Sequence, residues 1–269
     1  MNIQKLFLAS AFFLCFCKAG FAEGTDMASY EYRYKLFGAG FKQQKISFLS
    51  PLFYEGASLI YSSSGKTSFQ NGKLTSYYSD MYFDFLPNPN NNSMIIADGG
   101  NIEYNKYWLL KVDEETSSNL FVGWGYWFDY QLAVKPDNTN NLLYYHFNNM
   151  GCLSFATTGR IKSVRIFDEL SIPVVGVYFG SQYSSPLPYF VYEKDANFFD
   201  DFDILFINKN LQLKNTLSAD FKLKFWRRYT TMRVQYVVSI RTLRLNNNEM
   251  ANIYHLFKIG YLLNNYAHK

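Results

Sequence analysis

Residues 120–134, LFVGWGYWFDYQLAV, carry the clearest fold signal in the chain. The even-numbered positions are all apolar or aromatic, whereas the odd-numbered positions are mostly small or polar, which is the period-two pattern of a β-strand. At about 3.3 Å per residue the segment is about 50 Å long, beyond the usual globular strand. It therefore predicts a tilted transmembrane strand. The outward, lipid-facing side chains would include Trp124, Tyr126 and Phe128, and the lumen-facing ones Asp129 and Gln131.

The C-terminal third repeats this alternation in segments 216–226, 231–241 and 253–263. The parity of the apolar positions changes from odd to even and back to odd. Antiparallel hairpins with even-numbered loops require this change if all apolar side chains share one face. The predicted lipid-facing residues here are Phe221, Val234, Tyr236, Val238, Phe257 and Ile259. The predicted lumen-facing polar residues are Asp220, Lys222, Lys224, Arg233, Gln235 and Arg241.

The same pattern predicts loops and registers. Loops centred on 228–229 and 247–248 would pair Leu223 with Val234 and Val238 with Phe257. Segments 203–214 and 216–226 share one parity, which predicts a three-residue loop at 214–216. In a wet lumen Ser239→Arg is expected to be tolerated, whereas Val238→Arg should cost about 2–4 kcal/mol in lipid.

Upstream segments alternate less regularly. Tyr30, Tyr32, Tyr34 and Leu36 alternate with polar residues, and the residues at 175, 177 and 179 form a similar apolar set. We expect a single closed antiparallel β-barrel of about 12 strands, within a range of 10 to 14, at roughly 20 residues per strand and turn. Segment 184–201 lacks clean alternation and is interpreted as a loop or plug element.

The N-terminus has the features of a secretory signal peptide. Lys5 precedes the apolar run 6–17, and Gly20-Phe21-Ala22 places small residues at a cleavage site. The predicted organisation is therefore a cleaved signal peptide, 1–22, and a barrel, 23–269. Only Cys152 remains after cleavage, so the mature chain would form no internal disulfide.

Composition favours a membrane barrel over a soluble one. Aromatic residues make up 20% of the chain although the mean hydropathy is only −0.17, and charged residues make up only 18%. A membrane barrel turns alternating apolar residues outward and polar residues into its lumen, the reverse of a soluble barrel. The net charge of +4 comes without a basic cluster, which argues against nucleic-acid binding.

The signal peptide, the Tyr-rich alternating strands, the Asn-rich hairpins and the lack of disulfides resemble those of small outer-membrane β-barrel proteins of the Bacteroidota type. The chain departs from that pattern at its C-terminus, where Tyr266 is the nearest aromatic residue. The resemblance implies the outer membrane of a Gram-negative bacterium as the location. It also implies outer-membrane lipid and the secretion and barrel-assembly machinery as partners, and it carries over no catalytic residue.

Candidate chemistry is sparse, and no metal or cofactor motif is present. His146 is the one candidate general base, with Asn148 or Ser154 as possible companions, although a Gly-x-Ser-x-Gly elbow is lacking. The acidic residues Asp80, Asp84 and Asp129 are expected to pair with lumen bases. Those bases would be Lys222, Arg233 and Arg241.

Three functions stay open at this point. The leading prediction is a non-enzymatic outer-membrane barrel that acts as a narrow pore, a binding protein or an envelope scaffold. The alternatives are an outer-membrane lipid or peptide hydrolase and a soluble secreted β-protein that binds an apolar ligand.

Overall fold

A computed structural model describes residues 29–47, 49–113, 118–137, 143–180, 202–225, 228–245 and 248–267. The predicted signal peptide and segment 184–201 lie outside these residues. Among the described residues, no helix is long and apolar enough to cross a membrane. The strands are β1 (Tyr30–Ile46), β2 (Tyr54–Gln70), β3 (Lys73–Pro87), β4 (Met94–Asp113), β5 (Ser118–Val134), β6 (Leu143–Ile161), β7 (Val164–Gly180), β8 (Phe202–Phe206), β9 (Asn210–Phe225), β10 (Arg228–Leu245) and β11 (Asn248–Ala267).

The strands close into one antiparallel barrel, which confirms the predicted fold class. Strands that are neighbours in sequence pair with each other, except that β9 pairs with β7 instead of β8, and β1 pairs with β11 to close the barrel. The short β8 and the long β9 pair with successive parts of β7, so that Val175 lies opposite Phe206 and Ser171 opposite Lys214. The described strands therefore form a ring of ten strand positions around the lumen, and the short β8 and the long β9 together occupy one position. This is the lower limit of the predicted range.

Two predicted details of the hairpins are wrong. Residues 214–216 lie inside the continuous strand β9, which is why the parity does not change there. Leu223 pairs with Thr230 instead of Val234, and Val238 pairs with His255 instead of Phe257. β9 ends at Phe225 and β10 begins at Arg228, and β10 ends at Leu245 and β11 begins at Asn248. Parity determines the face of each residue, but it is unchanged when a register shifts by an even number of positions.

The two ends of the barrel differ in their connections. At one end, here called the turn end, β1 begins, β11 finishes, and residues 71–72 and 162–163 form two-residue turns. Asn71 and Gly72 have φ of 52° and 71°, as a tight turn with two left-handed residues requires. The opposite end, here called the loop end, carries the longer connections 47–53, 88–93 and 135–142.

Apolar side chains cover the outer face of the barrel. Phe37 is 64% exposed and Trp124 is 50% exposed, and large outward side chains follow each other around the wall. The turn-end half of β1 is the exception to the sequence prediction. Tyr34 and Leu36 are buried inside the barrel, whereas Arg33 and Lys35 point outward.

Most of the buried apolar residues of the interior belong to two clusters, one toward each end. The loop-end cluster includes Ile46, Leu86, Tyr144 and Met150. The buried members of the turn-end cluster are Phe69, Leu74, Tyr107, Phe121, Ala156 and Phe167. Buried charged residues lie among these clusters, since Asp220 is nearer the turn end than Phe167.

Candidate functional site

Five buried ion pairs lie in the interior of the barrel and are together called the ionic layer here. Each joins a lysine or arginine to a carboxylate, and each side chain in it is at most 11% exposed. The pairs are Lys42–Asp84 (2.5 Å), Lys214–Glu103 (2.5 Å), Arg233–Asp220 (2.6 Å), Arg241–Asp129 (3.2 Å) and Lys258–Asp80 (2.5 Å). Buried charges at this density require partners, because an isolated ion would lose its hydration without compensation.

Two of these pairs cross the lumen. Lys214 on β9 reaches Glu103 on β4, and Arg241 on β10 reaches Asp129 on β5. These strands lie on opposite sides of the ten-position barrel. An amide bond also crosses, since Gln44 on β1 donates to Gln131 on β5 at 2.8 Å. The side chains of the ionic layer therefore occupy the width of the bore.

Arg233 and Asp220 form the most geometrically complete pair. Two guanidinium nitrogens donate to the two carboxylate oxygens at 2.6 and 2.7 Å. The guanidinium carbon lies 4.0 Å from the centre of the Tyr34 ring, a cation–π contact. The inward orientation of Tyr34 thus has a physical cause, because its ring covers a buried charge.

Asp129 is the most connected carboxylate in the layer. It accepts from Arg241, from Nδ2 of Asn148 at 2.9 Å, and it bonds Nε2 of His146 at 2.8 Å. Ser154 donates instead to Asn105. Since Ser154 is eight residues from His146 on the same strand, the two are about 26 Å apart. The proposed Ser–His arrangement is not assembled, and Asn148 orients Asp129 rather than His146.

A small cavity of about 40 Å³ lies within the ionic layer, next to Asp129 and His146. Its lining includes several buried polar atoms without a protein partner, among them Trp127 Nε1, Gln212 Oε1, Arg241 Nη2 and Asn252 Oδ1. This mixture of donors and acceptors suits ordered water, and the volume holds only a few water molecules.

Glu169 differs from the other lumen carboxylates. Among the described residues it has no lysine or arginine within salt-bridge distance. Instead it accepts from the hydroxyls of Ser76 at 2.5 Å, Tyr107 at 2.7 Å and Tyr78. The carboxylate is thus held by neutral donors close to the turn-end apolar cluster.

The structure places most of the predicted lumen residues inside the barrel. Lys222 and Lys224 are exposed instead, because β7 pairs with β9 only as far as Asp220, and the later residues of β9 extend beyond it. Lys222 consequently does not pair with the acidic residues of the lumen. The predicted lumen-facing residues that are buried are Asp129, Gln131, Asp220, Arg233, Gln235 and Arg241.

The predicted lipid-facing residues all lie on the outer face. The four most exposed are Trp124, Tyr126, Tyr236 and Phe257, and the partly exposed ones are Phe128, Phe221, Val234, Val238 and Ile259.

Sequence reasoning missed four members of the ionic layer. These are Lys42, Glu103, Lys214 and Lys258. Lys258 could have been found, since it alternates with the outward residues Phe257 and Ile259. The pairings themselves could not, because Lys258 and Asp80 are 178 positions apart in the chain.

Comparison with known proteins identifies the family. The chain belongs to the family described as "Protein of unknown function (DUF3316)", whose model matches residues 5–268. No curated protein matches the sequence.

Several solved structures resemble the barrel. The outer membrane protease OmpT from Escherichia coli is 7% identical, with a TM-score of 0.44 over 87% of this chain and 95% of that chain. The translocator domain of the autotransporter NalP from Neisseria meningitidis is 10% identical, with a TM-score of 0.36 over 96% and 97%. CdiB from Acinetobacter baumannii is 5% identical, with a TM-score of 0.31 over 87% and 60%.

Proposed function

We propose that this DUF3316 protein is a closed, non-conducting and non-enzymatic barrel of the Gram-negative outer membrane, where it acts as an envelope scaffold or binding protein. The observation that carries the proposal is the ionic layer. Lys214–Glu103 and Arg241–Asp129 cross the bore, and buried apolar clusters pack in the lumen toward both ends. A barrel filled in this way offers a rigid anchor and no path for solute.

A membrane location is supported by the distribution of polarity. Ion pairs lie buried inside, and the outer face exposes large apolar side chains such as Phe37, Trp124 and Phe257, the reverse of a soluble barrel. Within the described part of the chain, ion pairs occupy the interior where a soluble carrier of an apolar ligand would need an apolar cavity.

The height of the apolar band fits a bilayer. On β1, the outward lysines Lys35 and Lys45 enclose Phe37, Ala39, Phe41 and Gln43, whose amide donates to Glu55 at 3.2 Å. Ten residues separate the two lysines, which is about 33 Å along the strand. With a strand tilt of about 40° this becomes about 25 Å along the barrel axis, the usual height of the lipid-facing band.

Polar residues on the outer face have partners beside them. Tyr126 donates to Asn149, Tyr236 bonds His255 at 2.8 Å, and Asn215 donates to Asp168 at 2.7 Å. Such pairing supports contact with lipid, because an unpaired polar group in hydrocarbon is costly.

Orientation follows from the connections. In bacterial barrels the short turns face the periplasm and the long loops face outward. The turn end would then be periplasmic, and the loop end would present the binding or scaffold surface. Insertion in this orientation would require the secretion and barrel-assembly machinery.

Two measurements on the mature protein test the proposal. Fractionation should recover it with the outer membrane, and recovery in the soluble periplasm would refute the membrane barrel. In planar bilayers, protein whose folding is verified by heat-modifiable electrophoretic migration should give no conductance steps. A general-diffusion porin in the same lipid serves as the positive control. Reproducible conductance of the folded protein would refute the closed lumen and would support the narrow-pore function instead.

A further inference from the structure

A row of basic side chains lies on the outer face of β1 to β4, in the half of the barrel nearer the turn end. Its members are Arg33, Lys35, Lys66, Lys73 and Lys106, here called the basic row. All five point outward, and Arg33, Lys35 and Lys73 are exposed. They lie on four neighbouring strands and therefore form one continuous surface.

Aromatic side chains accompany the basic row. Lys73 lies opposite Trp108 and Lys106 opposite Trp124 across their strand pairs. The Lys106 ammonium is 5.9 Å from the Trp108 ring centre, and Trp124 meets Tyr104 edge to face at 6.4 Å. Tryptophan and tyrosine favour the headgroup level of a bilayer, and lysine extends its ammonium from apolar surface toward that level.

The described ion pairs of the basic row contain fewer carboxylates than cations. Glu31 bonds both Arg33 at 3.0 Å and Lys66 at 2.8 Å, so one carboxylate serves two cations. Lys35, Lys73 and Lys106 have no ion-pair partner within the described part of the chain.

Cations at the loop end differ in this respect. Lys45 pairs with Glu249 at 2.8 Å, Lys135 pairs with Asp137 at 3.0 Å, and Lys209 pairs with Asp203 at 2.8 Å. Lysines thus occur at both rims, but those at the loop end each have a carboxylate of their own. Among the described residues, the lysines without an ion-pair partner therefore lie toward the turn end.

We propose that the basic row binds the anionic headgroups of phospholipids in the leaflet that meets the turn end, with phosphatidylglycerol as the representative lipid. This inference rests on the proposed membrane function. Cations at the headgroup level attract anionic lipid, and the attraction weakens beyond a Debye length in salt. Lys35, Lys73 and Lys106 are the main contacts, because no carboxylate among the described residues forms an ion pair with them. Such binding would enrich phosphatidylglycerol around one side of the barrel and fix its depth in the bilayer.

The test uses the mature full-length protein in nanodiscs of phosphatidylcholine with a minor fraction of phosphatidylglycerol. Electron paramagnetic resonance measures the motionally restricted fraction of spin-labelled phosphatidylglycerol and, in parallel samples, of spin-labelled phosphatidylcholine. We expect a several-fold preference for phosphatidylglycerol that declines as salt is added. The triple variant Lys35→Gln, Lys73→Gln, Lys106→Gln should lose most of that preference.

A matched triple variant provides the control. Lys45→Gln, Lys135→Gln, Lys209→Gln removes the same charge from the loop end and should keep the preference. Equal preference for both lipids in the native protein, or equal loss in the two triple variants, would overturn the inference. Displacement of the labelled lipid by soluble glycerol phosphate would also overturn it, because the site would then bind free phosphate rather than a leaflet.

Failure of the proposed function has a different signature. A protein that restricts neither lipid, although it is folded, is not in contact with the bilayer at all. A protein that restricts phosphatidylcholine normally but shows no preference is a membrane barrel without the proposed lipid specificity.

Discussion

The substitution Asp220→Asn tests whether the lumen is as dry as the buried ion pairs indicate. It removes the charge that holds Arg233 through two hydrogen bonds of 2.6 and 2.7 Å. Arg233 is 1% exposed, and its remaining described charge partner is the face of the Tyr34 ring. Breaking a buried pair in this way costs about 3–5 kcal/mol, because one ion stays buried without compensation. We expect the free energy of unfolding to fall by that amount.

The assay is a urea titration of the folded barrel in lipid vesicles, followed by tryptophan fluorescence. The double variant Asp220→Leu, Arg233→Met removes both charges and should recover most of the lost stability, since apolar replacements of buried pairs are often neutral. A loss below about 1 kcal/mol for Asp220→Asn would refute the reasoning, because pairs that water screens contribute only that much. The lumen would then be hydrated and the barrel potentially open.

Three further substitutions examine the two faces of the wall and the role of His146. Val238→Arg should lower the free energy of unfolding by about 2–4 kcal/mol in lipid, because the outward side chain would meet hydrocarbon. Ser239→Arg should also destabilise the barrel in the same urea titration, contrary to the wet-lumen expectation, because Ser239 is fully buried and contacts Gln212; normal stability would mean that the lumen has room. His146→Ala should cost about 1–3 kcal/mol through the lost bond to Asp129. It should leave any lipid or peptide hydrolysis by the purified protein unchanged, and a specific loss of activity would instead establish a catalytic role.

The faces of the central strand segments could be predicted from the sequence because lipid acts on them uniformly. In β5, β10 and β11, every second residue meets either hydrocarbon or the lumen, and alternation follows directly. The rule failed in the turn-end half of β1. The outer face of this half lies beyond the apolar band, and Arg33 and Lys35 point outward there. Tyr34 and Leu36 pack inside the barrel.

The register and the ionic layer could not be predicted in the same way. The alternating pattern is the same after a register shift of two or four residues. It therefore predicted Val234 as the partner of Leu223, whereas the partner is Thr230. The ion pairs that cross the lumen depend on which strands face each other in the closed ring of ten strand positions. Lys214 and Glu103 are 111 residues apart in the chain, and only the closed barrel brings them together. No local sequence pattern contains that information.

The central claim is that the apolar face meets lipid and the polar face encloses a sealed lumen. Trp124 and Trp127 test it directly, since they lie on opposite faces of β5 with exposures of 50% and 3%. Single-tryptophan proteins that retain one or the other, with phenylalanine elsewhere, are folded into vesicles that contain brominated phospholipid. Quenching by bromine should be strong for Trp124 and weak for Trp127. Equal quenching, or stronger quenching of Trp127, would contradict the assignment of the two faces.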